Sequence, residues 1–260
     1  MRHADVVTDV FSAPPLVLAH RGGALMSVNI GRENTLAAFR AAWEAGARHM
    51  ETDVHAAADG VLVAAHDEVL DRVSDRIGAI AELPSSEVRA ASVGGEQIPL
   101  LTELMDALPA ATFTIDLKAP GAVVPLAAVL ADPSRGRRAC VGSFSDRRLW
   151  RFRALTRGRV ATSSGRIGIA LLRLLPIAWR WLRTPGVVYQ VPMYQYIGPV
   201  RVRVVTPGFV RRAHALGKQV HVWTIDDPAT MRELLDLGVD GIVTDRPDLA
   251  LEVLATRPGA

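Results

Sequence analysis

The sequence predicts an α/β fold closed into a (β/α)8 TIM barrel, and three observations carry that prediction. Short apolar strand signals alternate with helix-opening signals along the whole 260 residues. The three clearest helix openings are prolines, Pro207, Pro228 and Pro247, spaced 21 and 19 residues apart with an apolar strand signal in each gap. No Gly-x-Gly-x-x-Gly turn follows a strand signal, which disfavours an open dinucleotide-binding sheet. With 49% hydrophobic and 22% charged residues the chain can bury a proper core, and barrels of ~200–250 residues fold as one unit.

Taken in order, Leu16-Val-Leu-Ala19 reads as a short buried strand. Asn34 and Thr35 then cap a helix carrying Leu36, Phe39 and Trp43, which Gly46 ends. Strand signals follow at 49–53, 61–66, 112–117 and 138–142, then at 159–162 and 187–191. The C-terminal half is more regular. Thr206-Pro207 opens a helix closed at Gly217, and Gln219 to Thr224 is a strand. Asp227-Pro228 opens a helix with Met231, Leu234 and Leu235 on one face. Gly241 to Thr244 is a strand, and Arg246-Pro247 opens the last helix. Nine strand signals compete for eight places, so one of 159–162 and 187–191 is expected outside the barrel. The link from Asp53 to Val61 is too short for a helix, which makes the barrel irregular between its second and third strands. Residues 68–100 are expected to form a small cap or loop insertion within a single domain, 1–260.

Composition narrows the function. A single cysteine, Cys140, excludes an internal disulfide framework and a thiolate metal cluster. Residues 1–12 hold Asp5 and Asp9 and no apolar run, unlike a signal peptide, and no uncharged apolar stretch of 18 residues exists. A soluble, cytoplasmic protein is expected, or one peripheral to the inner face of the membrane, with no nucleic-acid partner. The net charge of +3 is unevenly spread. From Arg147 to Ile225 there are 14 Arg, one Lys and no acid, so the remainder carries −12. This points either to a surface that meets an anionic partner or to an Arg-rich composition whose acids gather at a metal site.

Polar residues at the carboxyl ends of several barrel strands mark the active face. Here they are His20-Arg21-Gly22 after strand one, Glu51-x-Asp53 after strand two, His66-Asp67 after strand three and Asp116-x-Lys118 on strand four. Carboxylates two apart on a strand point the same way. A third from a neighbouring strand makes an oxygen-rich pocket suited to a divalent cation, Mg²⁺ or Ca²⁺. Two histidines can supply acid and base, while Arg21 and Lys118 bring positive charge to an anionic oxygen. Together these describe phosphoryl-ester hydrolysis. Singly, each has a bland reading, a hydrogen-bonded strand-end histidine or a solvated acidic edge; four strands in a row do not. His49, His55, His214 and His221 lack such company and read as structural.

These residues resemble a known family, the glycerophosphodiester phosphodiesterases of the phospholipase-C-like barrel group. The matching segments are Ala19-His-Arg-Gly-Gly23, Glu33-Asn-Thr35, Glu51-Thr-Asp-Val54, Ala58-Asp-Gly60 and Ala65-His-Asp67. Further on come Ile98-Pro-Leu100, Ile115-Asp-Leu-Lys118, Val222-Trp-Thr224 and Gly238-Val-Asp-Gly-Ile-Val-Thr-Asp245, all in family order. The resemblance implies that His20 and His66 are the acid/base pair and that Glu51 and Asp53 bind the cation. It implies that Arg21 and Lys118 hold the phosphate, that Trp223 lines the substrate pocket, and that glycerophosphodiesters are cleaved to sn-glycerol 3-phosphate and an alcohol. Two features depart from the family. Its third acidic ligand is usually Glu, here Asp116, and the loop from Gly23 to Arg32 lacks the usual Pro and is longer. Glu33 reads as a structural helix-entry residue.

Arg166 to Arg183 carries no family signature. Arg166, Arg173 and Arg180 recur every seven residues with Arg183 three later, a stripe on a helix that is otherwise apolar and holds Trp179 and Trp181. Pro176 would kink it. Peripheral membrane contact, a homodimer face and packing on the barrel are its three readings. For the whole chain, hydrolysis of small glycerophosphodiesters leads. The alternatives are a lysophospholipase D acting on lysophospholipids at a membrane surface, and a catalytically weak lipid-binding barrel whose metal site is degraded at Asp116.

Overall fold

In the computed structural model, which describes residues 10–175, 178–181 and 184–257, eight parallel strands form the barrel. They are β1 (Leu16–His20), β2 (His49–Ala56), β3 (Thr112–Leu117), β4 (Ala139–Gly142), β5 (Ala161–Thr162), β6 (Val188–Pro192), β7 (Gln219–Trp223) and β8 (Gly241–Thr244). The hydrogen-bonded order runs β5-β4-β3-β2-β1-β8-β7-β6, and a parallel bridge from Ser163 to Val188 joins the two ends. A helix follows each strand: α1 (Leu36–Glu44), α2 (Leu101–Ala107), α3 (Val123–Val129), α4 (Asp146–Thr156), α5 (Arg166–Leu174), α6 (Pro207–Ala215), α7 (Pro228–Asp236) and α8 (Pro247–Ala255). Pro207, Pro228 and Pro247 each stand at a first helical position, as read from the sequence. The Thr206 and Asp227 side chains accept from the backbone N–H groups of Phe209 and Thr230.

Two corrections follow. Both 159–162 and 187–191 supply barrel strands, β5 and β6. The strand outside is the presumed third one: Leu62–Ala64 pairs antiparallel with β2, Val54 facing Ala64. The reason is length. Five residues separate Ala56 from Leu62, enough for a hairpin but far short of the dozen that a parallel crossover needs.

Side-chain alternation gives the barrel an inside and an outside. Met50, Val54, Phe113, Ile115 and Val141 face outward onto Phe39, Leu104 and Phe152, and Tyr189, Val220 and Ile242 do the same against Phe209, Met231 and Val253. Residues of opposite parity, Leu16, Leu18, Cys140, Ala161, Val188 and Val243, pack with Val10 and Phe11 in a separate cluster. The Phe11 ring meets His221 edge-on at 4.6 Å between centroids, and Gln219 donates to the Phe11 carbonyl at 2.8 Å. His221 and His49 both belong to this packed interior, where burial holds their proton affinity well below the usual imidazole range, to about 3 and about 4. His214 pairs with Asp240 at 2.7 Å.

Residues 68–100 carry a 3-10 turn (Ile80–Glu82), a short helix (Ser85–Arg89) and a two-stranded hairpin (Ser92–Val93 with Glu96–Gln97). Leu70, Ile80, Val88, Val93 and Ile98 bury against Ala57 and Val63 of the β2 hairpin, so this layer sits on that edge of the barrel.

The arginine-striped segment is not one helix. α5 ends at Leu174, with Leu175 extended as a residue before proline prefers, and a 3-10 turn spans Ala178–Trp181. Gly168 and Leu172 are buried, Ile169 and Trp179 pack on the core, and Arg173 donates to the Arg203 carbonyl. Ile167, Leu171, Leu174 and Trp181 remain exposed. Arg180 lies over the Trp179 ring, 5.6 Å from its centroid. Arg183 lies outside the described residues. Among the described residues, no helix is long and apolar enough to cross a membrane.

Gly241 marks the tightest approach inside β8: a Cβ there would stand 2.7 Å from His221 and 3.0 Å from Leu18. Gly241→Ala is expected to lower the unfolding free energy by ~1–3 kcal/mol through overpacking. Gly121→Ala, where a Cβ meets open space, should stay within about 0.5 kcal/mol of the parent. Urea unfolding of both variants measures the difference.

Candidate active site

The parity that fills the barrel floor with apolar groups brings polar ones to the same interior near the carboxyl ends of the strands. Glu51 and Asp53 follow His49 at two-residue steps along β2. Strand register then sets their neighbours. His20 at the end of β1 lies opposite Glu51, and Asp116 on β3 lies opposite Asp53. Four predicted site residues thus form two cross-strand pairs, and both β2 carboxylates are buried.

Positive charge converges on these acids. Lys118 Nζ lies 2.9 Å from Asp53 and 2.8 Å from Asp116, and the two carboxylates raise the ammonium's proton affinity against the opposing effect of burial. Arg21 Nε is 3.6 Å from Asp53, and the Arg21 backbone N–H donates to Glu51 at 3.2 Å. Arg21 adopts φ +50, a left-handed conformation uncommon outside glycine. Buried Asn34 donates to Asp53 at 3.3 Å and accepts from Thr52 at 2.9 Å.

Glu51 is the least compensated. Burial first, then Asp53, push its carboxyl up to about 8. Hard oxygen donors carrying excess negative charge in a buried site fit a divalent cation. In the present arrangement Lys118 stands between Asp53 and Asp116. Among the described residues, no three acidic or histidine side chains converge on a common metal-holding point.

Each candidate histidine has a carboxylate behind it. His20 Nδ1 is 2.8 Å from Asp245, and its Nε2 is 3.8 Å from Glu51. Burial would lower the His20 proton affinity, but Glu51 and the Asp245 hydrogen bond outweigh it and raise it. His66 Nδ1 is 2.6 Å from Asp67. His66 follows the antiparallel strand, not a barrel strand. Ala65 N donates to the Asp53 carbonyl at 3.0 Å, and His55 Nε2 is 3.2 Å from the His66 carbonyl, so both contacts tie this corner to β2.

Arg72, from the layer over β2, joins the parts. It bonds Asp67 at 2.5 Å and Glu33 at 2.7 and 3.0 Å, while Glu33 accepts from Arg21 at 3.1 Å. Burial would raise the Asp67 carboxyl, but Arg72 and His66 hold it down at about 2. Glu33, read as structural, is therefore the link between two cationic side chains of the site. Trp223 ends β7 and meets Phe144 edge-on at 5.6 Å, and the Phe144 ring lies 5.7 Å from Lys118 Nζ.

Asp245, Arg72 and Phe144 were given no role from sequence. Asp245 carried a signal, being an acid directly after the last strand. Asp67 was visible as the neighbour of His66. Arg72 and Phe144 reach the site through tertiary contacts alone.

A family model described as the glycerophosphoryl diester phosphodiesterase family matches residues 20–249. A Mycobacterium tuberculosis protein named "Probable glycerophosphodiester phosphodiesterase 2" is 41% identical over 249 residues, covering 93% of this chain and 91% of its own. A glycerophosphodiester phosphodiesterase of Caldanaerobacter subterraneus is 27% identical over 92% of this chain and 97% of its own. The glycerophosphodiester phosphodiesterase structure from Agrobacterium tumefaciens superposes with a TM-score of 0.74 at 25% identity, covering 91% of this chain and 99% of that one. An Oleispira antarctica phosphodiesterase, solved with its product sn-glycerol-3-phosphate, has the same fold with a TM-score of 0.74 at 22% identity, over 94% and 98% of the two chains. The order of motifs, the barrel and these matches agree: the chain belongs to the glycerophosphoryl diester phosphodiesterase family and is a phosphodiesterase.

Proposed function

We propose that this phosphodiesterase hydrolyses small glycerophosphodiesters to sn-glycerol 3-phosphate and an alcohol, with His20 and His66 as its acid/base pair. The observation that carries this reading is the pair of histidines, each backed at Nδ1 by a carboxylate, beside a buried acidic pocket lined with Arg21 and Lys118. Asp245 and Asp67 hold the Nδ1–H tautomer, which leaves each Nε2 to exchange a proton with substrate. One imidazole takes the proton of the attacking oxygen, either of water or of the substrate's own 2-hydroxyl. The other gives a proton to the departing alkoxide. Arg21 and Lys118 bind the phosphate oxygens, and Trp223 with Phe144 lines the side where the alcohol sits.

Glu51 and Asp53, with Asp116, would hold Mg²⁺ or Ca²⁺. A cation bound there supplies Lewis-acid polarisation of the phosphoryl oxygens. With Asp53 and Asp116 engaged by such a cation, Lys118 would be free to bind a phosphate oxygen. Arg72 acts as a positioning residue, since it fixes Asp67 and thereby the His66 ring.

His20→Ala and His66→Ala should each lose at least ~100-fold in kcat on glycerophosphodiesters. An ester with a p-nitrophenolate leaving group, which needs no protonation, should recover most of the loss in the variant lacking the acid and little in the other. Near-normal turnover of either variant on the natural ester class contradicts the pairing.

Chelation followed by verified metal removal should abolish activity, and Mg²⁺ or Ca²⁺ should restore it. Glu51 must shed its proton to ligate, and without a cation it titrates near 8. Below that pH, binding displaces a proton, so cation affinity measured calorimetrically should strengthen as pH rises from 6 to 8 and then level off. Full activity in metal-free protein refutes the metal role.

For Arg72→Met we expect kcat to fall on the order of 10- to 100-fold with KM nearly unchanged, as when a ligand's outer partner is lost. Arg72→Lys should recover part of the loss. A change confined to KM would place Arg72 on the substrate instead.

A further inference from the structure

Large apolar side chains left in water around one end of a folded unit mark a contact surface. Here five of them, Phe144, Ile167, Tyr196, Ile197 and Val200, stand on connections that leave the carboxyl ends of neighbouring barrel strands. β4, β5 and β6 are neighbours in the barrel wall, and the connections leaving their carboxyl ends are therefore neighbours at the mouth. Phe144 follows β4, 53% exposed, and Ile167 opens α5 after β5, 51% exposed. After β6 comes an antiparallel hairpin, Tyr194–Ile197 with Val200–Arg203, whose tip sets Tyr196, Ile197 and Val200 in solvent at 65, 64 and 59% exposure. A hairpin tip made of Ile-Gly-Pro-Val is costly to keep in water, and nothing in the described chain covers it.

The charge around this arc has one sign. Arg147 in the first turn of α4, Arg166 at the start of α5 and Arg201 on the hairpin are all exposed. Arg201 stacks over the Tyr194 ring at 3.8 Å, beside the apolar tip. Arg203 does not count, since it is paired with Glu233 at 2.5 Å. The nearest acid in sequence, Asp146, accepts from the Ile167 backbone N–H at 3.3 Å. From Arg147 to Ile225 the chain has no other acid to offset the arginines. Apolar tip, flanking tyrosines and exposed arginines match an anionic bilayer in both its apolar and its charged layers. The arc is continuous with the site, because Phe144 packs on Trp223.

We infer that the arc of connections after β4, β5 and β6 seats on an anionic lipid bilayer. Ile197 and Val200 enter the interface, and Arg147, Arg166 and Arg201 meet the head groups. The mouth then faces the membrane and takes single-chain glycerophospholipids from it, a substrate class that rests on the phosphodiesterase reading above. The stripe of α5 contributes only its first arginine, since Arg173 is turned inward to Arg203.

The test is co-sedimentation of the full chain with phosphatidylglycerol-containing and pure phosphatidylcholine vesicles across a salt series. The parent should bind the anionic vesicles and release them at high salt. R147Q/R166Q/R201Q should lower the partition constant on the order of 10²-fold at low salt. I197S/V200S should also lose binding, keep its circular dichroism melt, and retain hydrolysis of water-soluble glycerophosphocholine. Its rate on lysophospholipid held in vesicles should fall in step with binding. Absence of vesicle binding, or equal binding to both vesicle types by parent and variants, overturns the inference while leaving the phosphodiesterase reading intact. Vesicle binding without hydrolysis of any diester would overturn that reading and leave the surface. A parent dimer in sedimentation velocity that I197S/V200S dissociates, with no vesicle binding, assigns the arc to a second copy instead.

Discussion

Two carboxylates buried on one strand govern the rest of this site. Glu51 and Asp53 are forced inward by the same alternation that sends Met50 and Val54 out to the helices. Buried negative charge is tolerated only when compensated. Lys118, Arg21 and Asn34 all serve Asp53, and His20 with the Arg21 N–H serves Glu51. Burial, and then the neighbouring Asp53 carboxylate, leave Glu51 under-compensated and raise its proton affinity. Folding therefore has one requirement here, that Lys118, Arg21 and His20 reach the carboxyl end of β2.

The hairpin that follows β2 meets a second requirement. Because Leu62–Ala64 turns back instead of crossing over, His66 is delivered beside β2 by a chain tied to Asp53. That corner lies outside the barrel wall and needs its own anchor. Arg72 provides it by gripping Asp67 and Glu33 together, and the apolar layer of residues 68–100 holds that stretch of chain against the hairpin. Arg21, Glu33, Arg72 and Asp67 form a chain of alternating charge from the flank of His20 to the His66 ring.

How much of this the sequence made legible depends on whether a feature is local. The three prolines opened α6, α7 and α8 where read, and Thr206 and Asp227 cap two of those helices. His20, Glu51, Asp53, Asp116 and Lys118 were readable because each stands at or beside a strand end, and register brings the first four together. The barrel roll was misread at strand three, since an apolar run shows strand but not direction. Arg72 was invisible, as nothing in Leu70-Asp-Arg-Val73 distinguishes a surface arginine from one that spans 39 residues to Glu33. The segment after β5 misled through its own regularity. Seven-residue spacing suggested one continuous stripe, but the residue before Pro176 is extended and breaks it.

The mouth of the barrel is consequently divided. β8, β1, β2 and β3, with the connections that leave them, carry the acids, histidines and lysine. β4, β5 and β6, across the opening, carry almost no charge inside, with Gly142 facing Asp116 and Gln190 donating to Thr114. Buried charge needs compensation on the first side only, so the second is free of that constraint in its side chains. Trp223 and Phe144 meet at the seam between the two sides. In the function proposed above, a substrate spanning that seam would keep its phosphate beside Arg21 and Lys118 and its leaving group beside the aromatic rings. On that reading, selectivity for the leaving alcohol would reside in Phe144 after β4 and Trp223 at the end of β7, apart from the residues proposed to break the bond.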